Sequence, residues 1–120
     1  MVFNQALSLA ATYKIKEVVP NLIRLIKKQE FLGADIANKV SIVRALGQIA
    51  DHQVLETWRE LINRKSILFK KMSDQLKEEI YKTLKNYPYE LVQDLVKIGV
   101  ESSNDVIREE SLRLRNEHAR

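Results

Sequence analysis

Two histidines, His52 and His118, and two acidic doublets, Glu78-Glu79 and Glu109-Glu110, are the side chains whose types could carry acid–base or metal chemistry. His52 has Glu56 four residues on, which puts an imidazole and a carboxylate on one face of a helix. A metal site on helices wants ligands at i and i+4 or carboxylates converging with them, and this pair is only a weak two-ligand coincidence. His52 follows Asp51 and reads as a polar turn residue; His118 reads as part of a frayed C-terminal tail. A general acid needs a carboxyl in an apolar pocket. Both doublets read instead as residues near helix N-termini, where negative charge suits the helix dipole. Cysteine is absent, which removes thiolate nucleophiles, disulfides and most structural zinc sites. Gly33, Gly47 and Gly99 stand too far apart to cradle a phosphate, and the serine elbow Gly-x-Ser-x-Gly does not occur. The expectation is a protein without catalytic machinery and without a cofactor.

The bulk composition agrees. Of 120 residues, 45% are hydrophobic and 30% charged, the balance of a folded chain. Three Gly and two Pro leave little room for β-hairpin turns. The net charge of +4 is thinly spread: its densest cluster, Arg64-Lys65 with Lys70-Lys71, is flanked by Glu60 and Asp74. A nucleic-acid surface would gather its cations on one face, so backbone binding to nucleic acid stands as the alternative, not the leading reading. No apolar run approaches the ~18 residues of a membrane span and no signal peptide is evident, so a cytoplasmic protein is expected.

Helical periodicity positions everything else. Ile42, Ala45, Leu46 and Ile49 form one stripe, as do Val18, Leu22, Leu25 and Ile26, and Val54, Leu55, Trp58, Leu61 and Ile62. Leu76, Ile80 and Leu84 follow, then Leu91, Val92, Leu95 and Val96. Trp58 falls in the register of Leu22 and Leu95, hence core. Tyr81, Tyr87 and Tyr89 read as packing against a neighbour. Stop and start signals cut the stripes into helices over 2–13, 16–30, 35–49, 52–64, 74–86, 88–99 and 104–117. Gly33 and Gly99 serve as stops, Asp35, Asp51 and Ser73-Asp74 as starts, and Pro88 as a first-turn residue. The segment 65–73 reads as the longest connection, with Ile67, Leu68 and Phe69 tucked inward.

These helices repeat. Asn38 to Leu46 aligns with Leu76 to Leu84, and Val18, Leu22 and Leu25 align with Val54, Trp58 and Leu61 and again with Leu91, Leu95 and Ile98. A period of about 37 residues with two helices each is the pattern of a helical solenoid. Within it, Ala45-Leu46-Gly47-Gln48-Ile49-Ala50-Asp51 resembles the Ala-Leu-Gly-x-Ile-Gly-Asp signature of bacterial HEAT repeats of the phycobilisome-lyase type, with Ala50 in place of Gly. Val18-Val19-Pro20-Asn21-Leu22-Ile23 is similar to the opening of their second helix, while Thr83 to Pro88 has drifted. The resemblance implies an all-α superhelix, a HEAT-like solenoid of about seven helices in three and a half repeats, spanning 1–120 as one domain. It also implies scaffolding and protein-partner binding. Related lyases handle bilin chromophores, but without cysteine or a convergent acid–base pair this chain is not expected to.

In such a solenoid the second helices of each pair line the binding face. Their solvent ridge is expected to carry Asn21, Arg24 and Lys28, then Thr57, Glu60 and Arg64, then Asp94 and Lys97, suited to charge-steered recognition of an acidic segment near the first pair. Ala45 and Gly47 are expected to let the two helices of a pair approach closely. The last helix, with only Ile107, Ser111 and Leu114 as its stripe, reads as a terminal cap. Helix 2–13 is apolar around much of its girth, so upstream repeats or a second copy are expected to cover it, the chain being read as the C-terminal part of a longer protein.

Overall fold

The computed structural model describes residues 2–27, 33–63 and 70–119, with side-chain surroundings over 5–26, 39–63 and 74–119. Among the described residues there are seven α-helices: α1 (Val2–Thr12), α2 (Val19–Lys27), α3 (Gly33–Ile49), α4 (Val54–Asn63), α5 (Lys70–Thr83), α6 (Tyr89–Val100) and α7 (Asp105–Ala119). Short 3-10 turns at Lys16–Val18 and Leu84–Asn86 precede α2 and follow α5. Among the described residues there is no strand, and no helix is long and apolar enough to cross a membrane.

Several helix starts follow from side-chain chemistry. Asp51 Oδ1 accepts the Gln53 N–H at 3.0 Å, satisfying a donor at the head of α4. That bond is the main reason its carboxyl titrates below the ordinary aspartate range. Asn104 Oδ1 accepts from the N–H groups of Val106 at 2.9 Å and Ile107 at 3.2 Å, capping α7. Pro88 sits just ahead of α6 with φ −56°, and its carbonyl accepts from Leu91 N at 3.0 Å.

The stops do not follow the glycines. Among the described residues no glycine has positive φ; Lys14 (φ 50°) and Ala50 (φ 54°) adopt the left-handed conformation instead. Lys14 ends α1 in a Schellman-type pattern: Ile15 N donates to Ala10 O at 2.9 Å and Lys14 N to Ala11 O at 3.2 Å. Ala50 ends α3, donating to Leu46 O at 2.9 Å. Gly33 and Asp35, expected as a stop and a start, both lie within α3 as described. Gly99 lies within α6, where its missing side chain serves a helix contact. α5 already includes Lys70, four residues before Asp74: Lys70, Lys71 and Met72 are good helix formers and Ser73-Asp74 are tolerated within the helix. Glu78-Glu79 consequently sit mid-helix, not at an N-terminus. The inward tuck expected of Ile67, Leu68 and Phe69 lies outside the described residues.

Odd-numbered helices pack side by side in order, α1 on α3, α3 on α5 and α5 on α7; α2 packs on α3 and α4, α4 on α5, and α6 on α7. A continuous core runs through them, including Leu22, Leu46, Trp58, Ile80, Leu95 and Ile107. Trp58 is fully buried, as its register required. Tyr81 and Tyr87 are buried too, and Tyr81 Oη donates to the Leu95 carbonyl at 2.7 Å. The Trp58 indole N–H and the Tyr87 hydroxyl approach each other in the core without reaching hydrogen-bonding geometry, and burial pushes the Tyr87 hydroxyl pKa up.

Gly47 marks a close approach between successive pairs, and Gly99 one both within its pair and to the next helix. A methyl group on Gly47 would lie 2.3 Å from Thr83 Cγ2 and 2.6 Å from its Cβ, so α3 needs glycine there to seat α5. A methyl on Gly99 would lie 1.9 Å from Ser111 Oγ and 2.6 Å from Tyr81 Cε1, locking α6 to α7 and α5 alike. The same α3–α5 contact carries an ion pair: Arg44 Nε and Nη2 donate to Glu79 Oε1 at 3.1 and 2.8 Å. Glu79 is buried, and its hydrogen bonds raise the Arg44 pKa. α7 buries Ile107 and Ser111 with Leu114 at their margin, and its remaining surface is mostly polar.

Leu25, Leu91 and Ile98, all expected in the core, are exposed. Each lies at the edge of its stripe. The even helices bury an arc narrower than apolar spacing alone suggests, because spacing cannot say how many neighbours a helix has.

Candidate partner-binding face

The even-numbered helices present a polar surface whose geometry is set by one side chain that the expected ridge omitted. Arg59 on α4 reaches across to α6: its Nε donates to Asp94 Oδ2 at 3.0 Å, and its Nη2 to the Leu91 carbonyl at 2.8 Å. Within α4, Nη1 donates to Glu56 Oε1 at 3.0 Å. The guanidinium thus closes over α6 as a planar fork with three partners, a geometry Lys could not reproduce. The hydrogen bond to Asp94 raises the Arg59 pKa and, from the other side, holds the Asp94 carboxyl below the usual aspartate range. Both groups are partly solvated, so the pair contributes roughly 0.5–1 kcal/mol. Glu56 three residues before Arg59 is visible as an (i, i+3) pair in the sequence. Asp94, one period away, is visible only once the two helices are superposed in register.

The expected ridge residues fare unequally. Asn21 and Arg24 on α2, Glu60 on α4, and Asp94 and Lys97 on α6 are exposed. Asp94 is engaged by Arg59, so it braces α6 to α4 as much as it faces solvent. Thr57 is a correction: it is buried on α4 and does not belong to an exposed ridge. Threonine's methyl group lets it fill an apolar site, which hydrophobicity-by-type reasoning misses. Lys28 and Arg64 lie outside the described residues. The exposed centre of α4 carries Glu56 and Glu60, and that of α6 carries Glu90, Gln93 and Lys97. The surface changes from cationic at Arg24 to predominantly acidic beyond it.

Other titratable groups are placed as follows. His52 is exposed in the turn before α4, its ring 6.3 Å from that of Tyr87. His118 is not in a frayed tail: it lies in α7 and stacks on Tyr89, the ring centroids 4.0 Å apart and the planes within 9°. Among the described residues no three His, Cys, Asp or Glu side chains are grouped to hold a metal. An open depression of about 450 Å³ lies at the ends of α1 and α3, lined by Thr12, Lys14, Gln48 and Asn86 among others. Asn86 Nδ2 there donates to the Gly47 carbonyl at 3.0 Å, tying the Leu84–Asn86 turn to α3.

Compared with protein-family models, with curated proteins and with solved structures, the chain matches none.

Proposed function

We propose that the chain is a HEAT-like solenoid acting as a non-catalytic scaffold, and that it binds a protein partner along the exposed faces of α2, α4 and α6. The observation that carries this reading is the Arg59 bridge. It holds α4 and α6 together from the solvent side, so that Glu60 on one helix and Lys97 on the next form one surface, not two separate ones. Sequential packing of α1, α3, α5 and α7 supports the solenoid part, because each helix of that row packs on the next in chain order. The Ala45–Asp51 segment supports the family part.

Charge argues for a protein in preference to a nucleic acid. Glu56, Glu60, Glu90 and Asp94 share the α4–α6 half of the face with Arg59 and Lys97, and Arg59 is already taken up by Glu56 and Asp94, so the described cations there form no basic patch of the kind a phosphate backbone needs. Arg24 marks the cationic end, where an acidic peptide segment would enter. Reversing Arg24 together with Lys28 to Glu should weaken capture of a protein partner at least tenfold while leaving the far-ultraviolet circular dichroism unchanged. Undiminished capture by that variant removes the assignment of the face, and salt-sensitive shifting of any DNA duplex by the unmodified chain would replace it with backbone binding.

A further inference from the structure

The two seams between neighbouring even helices are built differently. Aligned at the repeat spacing, Ile23, Arg59 and Val96 share one position on α2, α4 and α6, and Asn21, Thr57 and Asp94 share the position two residues earlier. Arg59 of α4 meets Asp94 of α6, so the same register sets Ile23 of α2 toward Thr57 of α4. The α2–α4 seam is dry: Thr57 is 3% exposed, and Ile23 and Leu61 are packed against the core. The α4–α6 seam is wet at the same level. Among the described residues, the hydrogen bonds joining α4 to α6 all come from the Arg59 guanidinium, and the Asp94 side chain that accepts them is 54% exposed. Ile98, the counterpart of Leu61, is 47% exposed.

The odd row behind that seam is seated without help from charge. Thr83 of α5 lies against Gly47 of α3 with no room for a methyl group between them, and Asn86 Nδ2 donates to the Gly47 carbonyl at 3.0 Å. α6 is fastened to α5 by the buried bond from Tyr81 Oη to the Leu95 carbonyl. α6 therefore moves with α5, and the rim between α4 and α6 is the place where the stack can part. Salt leaves the contact of Gly47 with Thr83 in place, but it screens a solvated ion pair. At the α2–α4 seam, where Ile23 and Thr57 stand in place of Arg59 and Asp94, there is no such pair to screen.

We infer that the α4–α6 seam is a salt-sensitive joint: when the Arg59 fork lets go, the α5–α7 part of the stack swings about the α3–α5 contact, and the even-helix face widens between Glu60 and Lys97. The joint needs the two seams and no partner, so failed partner capture and a failed joint are separate results. The chain has no cysteine, so paired cysteines carry spin labels without background. Glu60→Cys/Lys97→Cys spans the α4–α6 seam and Arg24→Cys/Glu60→Cys the α2–α4 seam; all three positions are exposed. Double electron–electron resonance on the full chain reads both distances. Between about 0.01 M and about 1 M salt the screening length falls from about 30 Å to about 3 Å. Over that range the α4–α6 pair should gain a component about 3 Å longer, the thickness of one admitted water. Its population should rise roughly two- to fivefold, the factor a solvated ion pair is worth. The α2–α4 pair should not change. Arg59→Gln should show the longer component already at low salt. Arg59→Ile/Asp94→Thr, which copies Ile23 and Thr57, should restore one narrow distance that salt does not move. Should Arg59→Gln lose helicity by circular dichroism, Asp94→Asn takes its place. Equal widening of both pairs overturns the joint, as does an α4–α6 distance unmoved by salt, or a folded Arg59→Ile/Asp94→Thr chain that still widens.

Discussion

Replacing Ala50 with glycine should stabilise the protein, and the size of the gain can be worked out from its backbone. Ala50 ends α3 at φ 54°. An L-residue held in the left-handed region bears roughly 1–2 kcal/mol of steric cost between its Cβ and the following carbonyl. Glycine removes that cost but brings back unfolded-chain entropy of about 0.4–1 kcal/mol. The net expectation is a gain of about 0.5–1 kcal/mol, or roughly 2–5 °C in Tm for a chain of this size. Trp58, the sole tryptophan and fully buried, is a built-in reporter for urea unfolding. The midpoint should rise with the slope m unchanged. Gln48→Gly, two residues earlier in the last turn of α3 and exposed, supplies the opposite sign: its backbone is still helical, where glycine costs up to about 1 kcal/mol. If Ala50→Gly destabilises as much as Gln48→Gly does, Ala50 is not left-handed and the helix end has been misread.

Four further outcomes follow. Gly47→Ala, although it raises helix propensity, should destabilise by about 1–3 kcal/mol because the new methyl meets Thr83, whereas Gln48→Ala should be near neutral in the same urea titration. Tyr81, buried and pushed up to about 12 from 10.0, folds preferentially protonated. Its contribution is therefore complete below pH 10.0 and lost as the pH climbs through about 12, so Tyr81→Phe should show a shallower alkaline decline, by about 2–3 kcal/mol, in unfolding midpoints compared across that window. Arg59→Met should cost roughly 0.5–1 kcal/mol, and a double-mutant cycle with Asp94→Asn should return most of that as coupling; zero coupling would remove the α4–α6 brace. Ser111→Ala, removing a buried hydroxyl with no protein partner among the described residues, should be neutral or stabilising by up to about 1 kcal/mol in thermal unfolding.

The residues that could be read correctly were those whose signal is local or periodic. Asp51 caps α4 because a side-chain oxygen two residues ahead of an N–H is a short-range geometry, and Trp58 is core because its register repeats. The misreadings share a different cause. Glycine is the expected left-handed residue, so Gly33 and Gly99 drew the stop signals, while Lys14 and Ala50 hold that conformation against their own preference through the bonds of the helix ends. Gly47 and Gly99 serve contacts with Thr83 and Ser111, partners far away in sequence. Thr57 and Arg59 invert the naive division of α4 into wet and dry faces: the smaller polar residue is inside, and the long cation spans the gap to α6. Charge and polarity by type cannot distinguish them; only the position of the neighbouring helix does.

Photo-crosslinking tests the scaffold account most directly. A photoreactive amino acid would be placed singly at Arg24, Glu60 and Lys97 on the even helices and at Arg44, Gln48 and Lys82 on the odd ones, all exposed positions. Exposed to the proteins of the native cell, the first three should give one shared protein adduct and the last three none of that mass. An adduct formed equally from both rows, or only from Arg44, Gln48 and Lys82, would contradict the assignment of the even-helix face as the surface that holds the partner.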